Sequence, residues 1–174
     1  ATEGLSKIIA PSQVFEVRVL GVKKNNGYGN LSAFGIFDAV GDAVSEISKF
    51  VKTHTYSGMY FTPNPLDESV MCRRPNMLDI GSRDDGMAKD ADVTAIRWLL
   101  VDFDPVRPSG TTASDQQVQD VMSVSRVMYA PFCDALHTHP LVLFSGNGIH
   151  MMWRTDLRTD ESPLLSRCLS KMQV

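Results

Sequence analysis

Cysteine is scarce in this sequence. Cys72, Cys133 and Cys168 are odd in number, lie far apart and form no C-x-x-C spacing. A disulfide-stapled secreted domain pairs an even set of cysteines, and a structural zinc site brings two of them close together in the sequence. The pattern therefore excludes both classes and predicts reduced thiols in an intracellular protein.

Long apolar runs and an excess of basic charge are also missing. No apolar stretch approaches the roughly 18 residues of a transmembrane helix, and the N-terminus lacks a signal-peptide layout. Lys plus Arg number 17 and Asp plus Glu number 20, which gives a net charge of −3. That balance excludes a polybasic binder, although it allows a nucleic-acid enzyme with a local basic groove. We expect a cytoplasmic protein that contacts no membrane.

What the sequence contains is typical of a soluble α+β protein. The 174 residues correspond to about one domain, and 43% are hydrophobic, enough to bury a core. The second half has a strand, a helix and an antiparallel hairpin, compatible with a split βαβ arrangement. We expect 1–174 to be a single domain, composed of an α/β unit at 1–92 and a second half at 93–174. The chain stops directly after an amphipathic segment, so we expect a fragment of a longer protein.

An alternating pattern opens the first half. Phe15, Val17 and Val19 fall on one face of a strand predicted over 14–20, with Glu16 and Arg18 on the other face. Further predicted elements are a polar turn at 23–30, strands at 33–37, 58–61, 96–103, 141–144 and 149–155, and helices at 38–52, from 114 to about 136, and at 161–172. Pro131 is expected to kink or restart the second helix. Residues 66–92 are charged and irregular, and predict a long functional loop.

Two aspartates close the strand predicted over 96–103. Alternate residues of a strand project to the same side, so Asp102 and Asp104 lie together while Val101 and Phe103 pack on the other side. Neighbouring carboxylates suit Mg²⁺ or Mn²⁺, and metal-bridged carboxylates serve phosphoryl and nucleotidyl transfer. The alternative is a strand end that carries two solvated aspartates.

A Ser-Gly-Asn-Gly turn at 145–148 joins the last two predicted strands. Its glycines allow backbone N–H groups to converge on an anion, and His150 and Arg154 share one face of the return strand. Together these groups form a cradle for phosphate oxygens. The alternative is a plain hairpin with a structural histidine. The predicted nucleotide-binding residues are Ser145, Gly146, Asn147, Gly148, His150 and Arg154.

Aromatic and basic residues follow one another between 60 and 74. Aromatic rings beside arginines can stack bases and hold backbone phosphates. The alternative places Tyr60 and Phe61 in the core and the arginines on a solvated loop. The predicted nucleic-acid contacts are Tyr60, Asn64, Arg73, Arg74 and Arg107.

In this order, the motifs resemble those of the archaeo-eukaryotic primase superfamily, in particular the primase-polymerase domains of bacteriophages, plasmids and mobile elements. The stretch at 99–108 and the Ser-Gly-Asn-Gly-x-His hairpin are specific in combination. The resemblance covers nearly the whole chain, and its matching segments are 15–18, 60–65, 99–108, 145–150 and 153–154.

The resemblance implies an N-terminal α/β unit packed on a split sheet like an RNA-recognition module, with the active site in the cleft between them. It implies that Asp102 and Asp104 bind divalent metal ions and that Ser145 and His150 contact the incoming nucleotide, with Asp102, Asp104 and His150 catalytic. The implied activity is that of a DNA primase and DNA-directed polymerase. Its substrates are nucleoside triphosphates on a single-stranded DNA template and primer, and a fused or associated helicase is an expected partner.

One part of the family pattern is not found. The third motif, an acidic residue on a later strand followed by an Arg-containing nucleotide contact, is expected beyond Val174, because Asp156 and Asp160 come too early. Two alternatives to the enzyme stay open. One is a catalytically incomplete, primase-like module that binds single-stranded nucleic acid or nucleotide. The other is a metal-dependent nuclease built on the same aspartates.

Overall fold

The computed structural model of the protein describes residues 2–23, 30–81, 86–108 and 110–170. It is a mixed α+β fold with antiparallel sheets, as the sequence predicts. The chain divides into two compact units, Ala1–Ile96 with Leu157–Val174, and Arg97–Asp156. Among the described residues, no helix combines the length and the apolar character needed to cross a bilayer.

Nearly all the predicted elements are present, with small shifts at their ends. The helices are α1 (Thr2–Ile8), α2 (Val40–Thr53), α3 (Asp115–Leu136) and α4 (Ser162–Ser170). The strands are β1 (Phe15–Lys23), β2 (Asn30–Phe37), β3 (Gly58–Phe61), β4 (Asp79–Ile80), β5 (Ala95–Phe103), β6 (Leu141–Phe144) and β7 (Ile149–Arg158). Helix α1 is an element that no sequence pattern predicted. Most of the predicted turn at 23–30 and the end of the helix predicted over 161–172 lie outside the described residues.

The first unit is built on a four-stranded sheet in the order β3-β1-β2-β4. Strand β1 is antiparallel to both of its neighbours, with Phe15 opposite Phe37 and Val17 opposite Phe61. Phe15, Val17 and Val19 are fully buried, which confirms the apolar face predicted for this strand. Burial of these side chains is the main source of stability on this face.

The segment predicted as a loop at 66–92 supplies a second layer of the first unit. It contains 3-10 helices at Glu68–Arg73 and Asp90–Asp92 as well as β4. Its residues Leu66, Val70 and Met87 form a buried cluster with Phe34 and Ile36 of β2. Irregular spacing of these apolar residues gives no helical or strand period, which is why the sequence predicts a loop.

The second unit contains a three-stranded sheet in the order β5-β7-β6. Strands β6 and β7 are antiparallel, with Leu141 opposite Met152. Arg97 pairs with Asp156 and Asp102 pairs with His150, so β5 also runs antiparallel to β7. Strands β5 and β6 are therefore parallel, joined through α3 and separated by β7, which is the predicted split βαβ connection.

Helix α3 begins at the predicted capping box. Ser114 Oγ accepts the Gln117 N–H at 3.3 Å, and Gln117 Oε1 accepts the Ser114 N–H at 2.9 Å. The helix continues through Pro131 to Leu136 as one element, so of the two expected outcomes the restart is wrong and the kink stays a prediction. Phe132 packs against Trp153 with ring centroids 4.7 Å apart, and this contact anchors the helix where the proline removes a backbone donor.

Strand β6 of the second unit exposes apolar side chains. Val142 and Phe144 of β6 are 52% and 59% exposed, whereas Ile149 and Met151, their partners on β7, are buried.

Cys133 is a half-buried free thiol, and Cys72 in the first unit is an exposed free thiol, as the sequence predicts for both. The side chain of Cys168 lies outside the described residues.

Candidate functional site

The two aspartates lie at the end of β5. Asp102 is the penultimate residue of the strand and Asp104 follows its last residue, and both carboxylates are about half exposed. Val101 and Phe103 are half-buried, so the predicted alternation is present. The apolar run before the aspartates buries Ile96, Trp98 and Leu99 and holds the strand end in place.

His150 on the neighbouring strand faces the first aspartate. Its Nε2 lies 3.2 Å from Asp102 Oδ1, an ion pair when the imidazole is protonated. Adjacency of β5 and β7 creates this contact between residues 48 positions apart, which are both exposed to solvent in part. Two motifs that the sequence analysis treated separately therefore form one cluster.

Gly148 brings the turn against the same strand end. A Cβ atom at this position would lie 2.2 Å from the Phe103 carbonyl oxygen and 3.1 Å from Asp104 Oδ1. Only a residue without a side chain fits this approach of backbone to backbone. The glycine is thus required by close packing beside Asp104.

The rest of the turn is closed by its own side chains. Ser145 Oγ accepts the N–H groups of Gly148 at 2.9 Å and Asn147 at 3.4 Å, and Gly146 adopts a positive φ of 96°. Asn147 Oδ1 accepts the Ala113 N–H at 2.9 Å, which ties the turn to the start of α3. The serine hydroxyl thus satisfies two N–H groups predicted for a phosphate, and the phosphate contact stays a prediction.

Arg107 belongs to the aspartate cluster. Its Nη2 lies 3.2 Å from Asp104 Oδ2, and its side chain is only 18% exposed. The Nε atom is buried and has no hydrogen-bond partner within the described part of the chain. The Arg107 guanidinium compensates the Asp104 charge, and the nucleic-acid contact of Arg107 stays a prediction.

Arg154 does not join this cluster directly. It lies four residues beyond His150 on β7, about 13 Å along an extended strand. Its guanidinium lies over the ring of Trp98, 5.2 Å from the ring centroid. The two residues share a face of the strand, as predicted, and the role of Arg154 in phosphate binding stays a prediction.

A divalent cation is the group that the aspartates could hold. Asp102 and Asp104 offer hard oxygen ligands on one side of the strand end. Each carboxylate already faces a cationic or protonatable group, His150 or Arg107. Among residues 2–23, 30–81, 86–108 and 110–170, no three His, Cys, Asp or Glu side chains cluster as a metal site. The metal-binding role of the two aspartates stays a prediction.

A groove opens beside Asp104. Its volume is about 320 Å³, and Asp104 and Asp120 place carboxylates on it. Phe103, Val121 and Val124 supply apolar lining. An apolar groove with a few polar groups is the usual form of a small-ligand site.

The four residues predicted for nucleic-acid binding in the first unit differ from one another in exposure and in hydrogen-bond partners. Tyr60 is 57% exposed and Asn64 is half-buried. Arg73 Nη1 and Nη2 each donate to one oxygen of the Asp92 carboxylate at 2.7 Å. Arg74 lies 4.3 Å from the centroid of the Phe34 ring and donates to the carbonyl oxygens of Asp79 and Ile80. The two arginines therefore have structural partners, and Tyr60 is the side chain of this group with a large exposed surface.

Strand β1 carries a buried ion pair that the sequence pattern does not predict. The alternating pattern places Glu16 on the polar face of β1, but its carboxyl is only 1% exposed and accepts a hydrogen bond from Arg18 Nη2 at 2.6 Å. Burial raises the pKa of this carboxyl above 4.5, and the hydrogen bond and charge of Arg18 partly offset the rise. Glu16 lies on the face of β1 that the alternation predicts, and the segment that follows β3 covers this face. An acid two residues before a base on one strand face was the available signal.

Comparison of the chain with protein-family models, with curated proteins and with solved structures finds no match.

Proposed function

We propose that the chain is the metal- and nucleotide-binding part of a DNA primase-polymerase, a nucleotidyltransferase that extends strands on a single-stranded DNA template. The observation that carries this proposal is the cluster of Asp102, Asp104 and His150 at the ends of two adjacent strands. The split βαβ connection of the second unit agrees with the RNA-recognition-like sheet expected for such an enzyme. Sheet, acidic pair and histidine thus support the same activity.

The residues of the cluster have distinct roles in this proposal. Asp102 and Asp104 would hold Mg²⁺ or Mn²⁺, which supplies positive charge to the transferring phosphate. His150 orients the Asp102 carboxylate and, when protonated, donates a hydrogen bond to a phosphate oxygen of the nucleoside triphosphate. Arg107 balances the Asp104 charge, and the groove beside Asp104 receives part of the nucleotide.

Primer extension by the full-length protein tests the proposal. Asp102→Ala and Asp104→Ala should each lower synthesis with Mg²⁺ or Mn²⁺ by at least about 100-fold, since even partners of metal ligands are worth about 10- to 100-fold. Asp134→Ala is the matched control, because Asp134 is an exposed aspartate of α3 away from the cluster. Wild-type synthesis by both aspartate variants would show that the enzyme proposal is wrong.

The second candidate is a primase-like module that binds nucleotide or single-stranded nucleic acid without catalysis. The pairing of Asp102 with His150 and of Asp104 with Arg107 favours it, because paired carboxylates need no metal to compensate their charge. In the enzyme, His150→Ala weakens nucleotide binding more than template binding. DNA binding without synthesis by the intact protein would support the module, and loss of labelled DNA without added nucleotides would support a nuclease.

A further inference from the structure

A second pocket lies wholly within the first unit. It has a volume of about 320 Å³ and occupies the face of the sheet that carries the Glu16–Arg18 pair. Nothing in the proposed catalytic cluster uses it. The lining residues that matter here are Glu16, Arg18, Leu20, Tyr60, Thr62 and Lys89.

Hydrogen bonds among Glu16, Arg18, Thr62 and Ala88 hold the floor of this pocket. Arg18 Nη2 donates to Glu16 Oε2 at 2.6 Å and to the Ala88 carbonyl oxygen at 3.0 Å, and the Ala88 N–H reaches Glu16 Oε1 at 3.4 Å. The Glu16 N–H donates to Thr62 Oγ1 at 2.9 Å. Both Arg18 hydrogen bonds use Nη2, so within the described residues Nη1 keeps its donors for a ligand. The floor is pre-organised and offers a hydrogen-bond donor.

The charges of the pocket balance. Arg18 and Lys89 are cationic, and Glu16 and Asp90 are anionic. A site built for phosphate carries excess positive charge or converging N–H groups. This lining therefore favours a ligand part that is polar but uncharged.

Tyr60 forms an aromatic wall whose position is set by a glycine. A Cβ atom on Gly58 would lie 2.7 Å from the Tyr60 hydroxyl oxygen and 2.8 Å from the ring, so the ring lies against the Gly58 backbone. Tyr60 is the direct cross-strand partner of Arg18, so both side chains project from the same face. With 57% of the residue exposed, the ring has area free for a planar group.

We propose that this pocket binds one unstacked nucleobase, which stacks on the Tyr60 ring while its polar edge accepts a hydrogen bond from Arg18. Bases are planar, uncharged and edged with acceptors, which matches the lining. Every base has a stacking face, so the pocket accepts bases with little sequence preference. The choice of a base on a single strand rests on the proposed function, and a free nucleotide would offer the same chemistry.

The test compares two short labelled DNA strands by fluorescence anisotropy, without metal or triphosphates. One strand carries bases, and the other is abasic with the same phosphates. Wild-type protein should bind the base-bearing strand about 5- to 150-fold more tightly, the range expected for one stacked base. Tyr60→Ala should lose this preference and leave abasic binding unchanged, whereas Tyr60→Phe keeps it.

Two further variants separate stacking from folding. Gly58→Ala displaces the ring without touching the ligand, so it should lose the same preference. Tyr56→Ala is the matched control, since Tyr56 is 39% exposed and does not line the pocket. Circular dichroism checks that each variant is folded. Equal losses in Tyr60→Ala and Tyr56→Ala, equal losses on both strands, or no binding of either strand would overturn the proposal.

Competition and an aspartate variant complete the experiment. Displacement of the strand by a free nucleoside monophosphate, lost in Tyr60→Ala, would assign the pocket to the base of a mononucleotide, and resistance to it would assign the pocket to the strand. Asp102→Ala should keep the base preference, because the measurement uses no metal. If Asp102→Ala keeps wild-type synthesis but Tyr60→Ala still loses the base preference, the enzyme proposal is wrong and the proposal of a base-binding pocket is supported.

Discussion

The Glu16–Arg18 pair shows how one charged side chain can sit inside an otherwise apolar sheet. The carboxyl is desolvated by the segment after β3, and Arg18 and the Ala88 N–H replace the lost water. A buried charge without such partners would cost several kcal/mol. The pair therefore joins β1 to a segment about 70 residues away by electrostatics as well as by packing.

Protonation of Glu16 should stabilise the fold. Burial raises the pKa of this carboxyl above the ordinary 4.5, so the folded state binds the proton more tightly than the unfolded state. The stability gained this way is fully present below pH 4.5 and is lost as the pH rises through the folded pKa. We expect the free energy of unfolding of the wild type, relative to Glu16→Gln, to fall over that interval in urea denaturation. A difference that rises with pH would contradict this.

Asp92 is a control for this measurement, because its contribution to stability has the opposite pH dependence. Hydrogen bonds from Arg73 lower the pKa of the Asp92 carboxyl below the ordinary 3.8. Its contribution is therefore present above pH 3.8 and is lost as the pH falls through the folded pKa. The difference in the free energy of unfolding between wild type and Asp92→Asn should shrink on acidification. The difference between wild type and Glu16→Gln should grow over the same change in pH.

For single residues, the sequence predicts well which face of a strand a side chain occupies, but it predicts the burial of polar side chains poorly. The alternation of Phe15, Val17 and Val19 correctly assigns an apolar face. The same alternation places Glu16 on the correct face but does not reveal its burial, because its cover comes from Ala88, far along the chain. The Asp102–His150 contact is likewise non-local, and strand periodicity alone gives no pairing of β5 with β7.

Elements with local signals are the predictable ones. The Ser114–Gln117 capping box specifies the start of α3 within a few residues. The turn at 145–148, in which Gly146 takes a positive φ, specifies the β6–β7 hairpin. The layer formed by 66–92 has no such signal, because contact with the sheet and not a local period decides which of its residues are buried. Helix α1 is only seven residues long, too short for its periodicity to be evident.

Pro131 should limit the stability of α3. Proline removes a backbone donor and crowds the preceding turn, and this proline is exposed, so replacing it costs little packing. Pro131→Ala is expected to raise the free energy of unfolding by about 1–2 kcal/mol after allowance for the more flexible unfolded chain. Ser114→Ala, which removes the cap, should lower it by about 1 kcal/mol. Urea denaturation measures both, and a destabilised Pro131→Ala would contradict the expectation.

Each of the two units has a core of its own. The first buries Phe34, Ile36 and Val70, and the second buries Trp153 against Phe132. Both tryptophans of the sequence, Trp98 and Trp153, belong to the second unit. Tryptophan fluorescence therefore reports on one unit, whereas circular dichroism reports on both.

This division predicts unequal responses to core mutations. Val70→Ala should shift the transition followed by circular dichroism by about 2 kcal/mol, the cost of a small core cavity, and shift the fluorescence transition less. Phe132→Leu, beside Trp153, should act mainly on fluorescence. Equal shifts of both signals in both variants would show a single cooperative unit instead.

Strand β6 has a consequence for the behaviour of concentrated solutions. Its Val142 and Phe144 are exposed, and a strand of Leu-Val-Leu-Phe carries no charge to repel another copy. Self-association through such strands needs about six or seven suitable residues in a row. Here Pro140 precedes the strand and a tight Ser-Gly-Asn-Gly turn ends it after four residues, so the length of the strand protects the protein against aggregation where its composition does not.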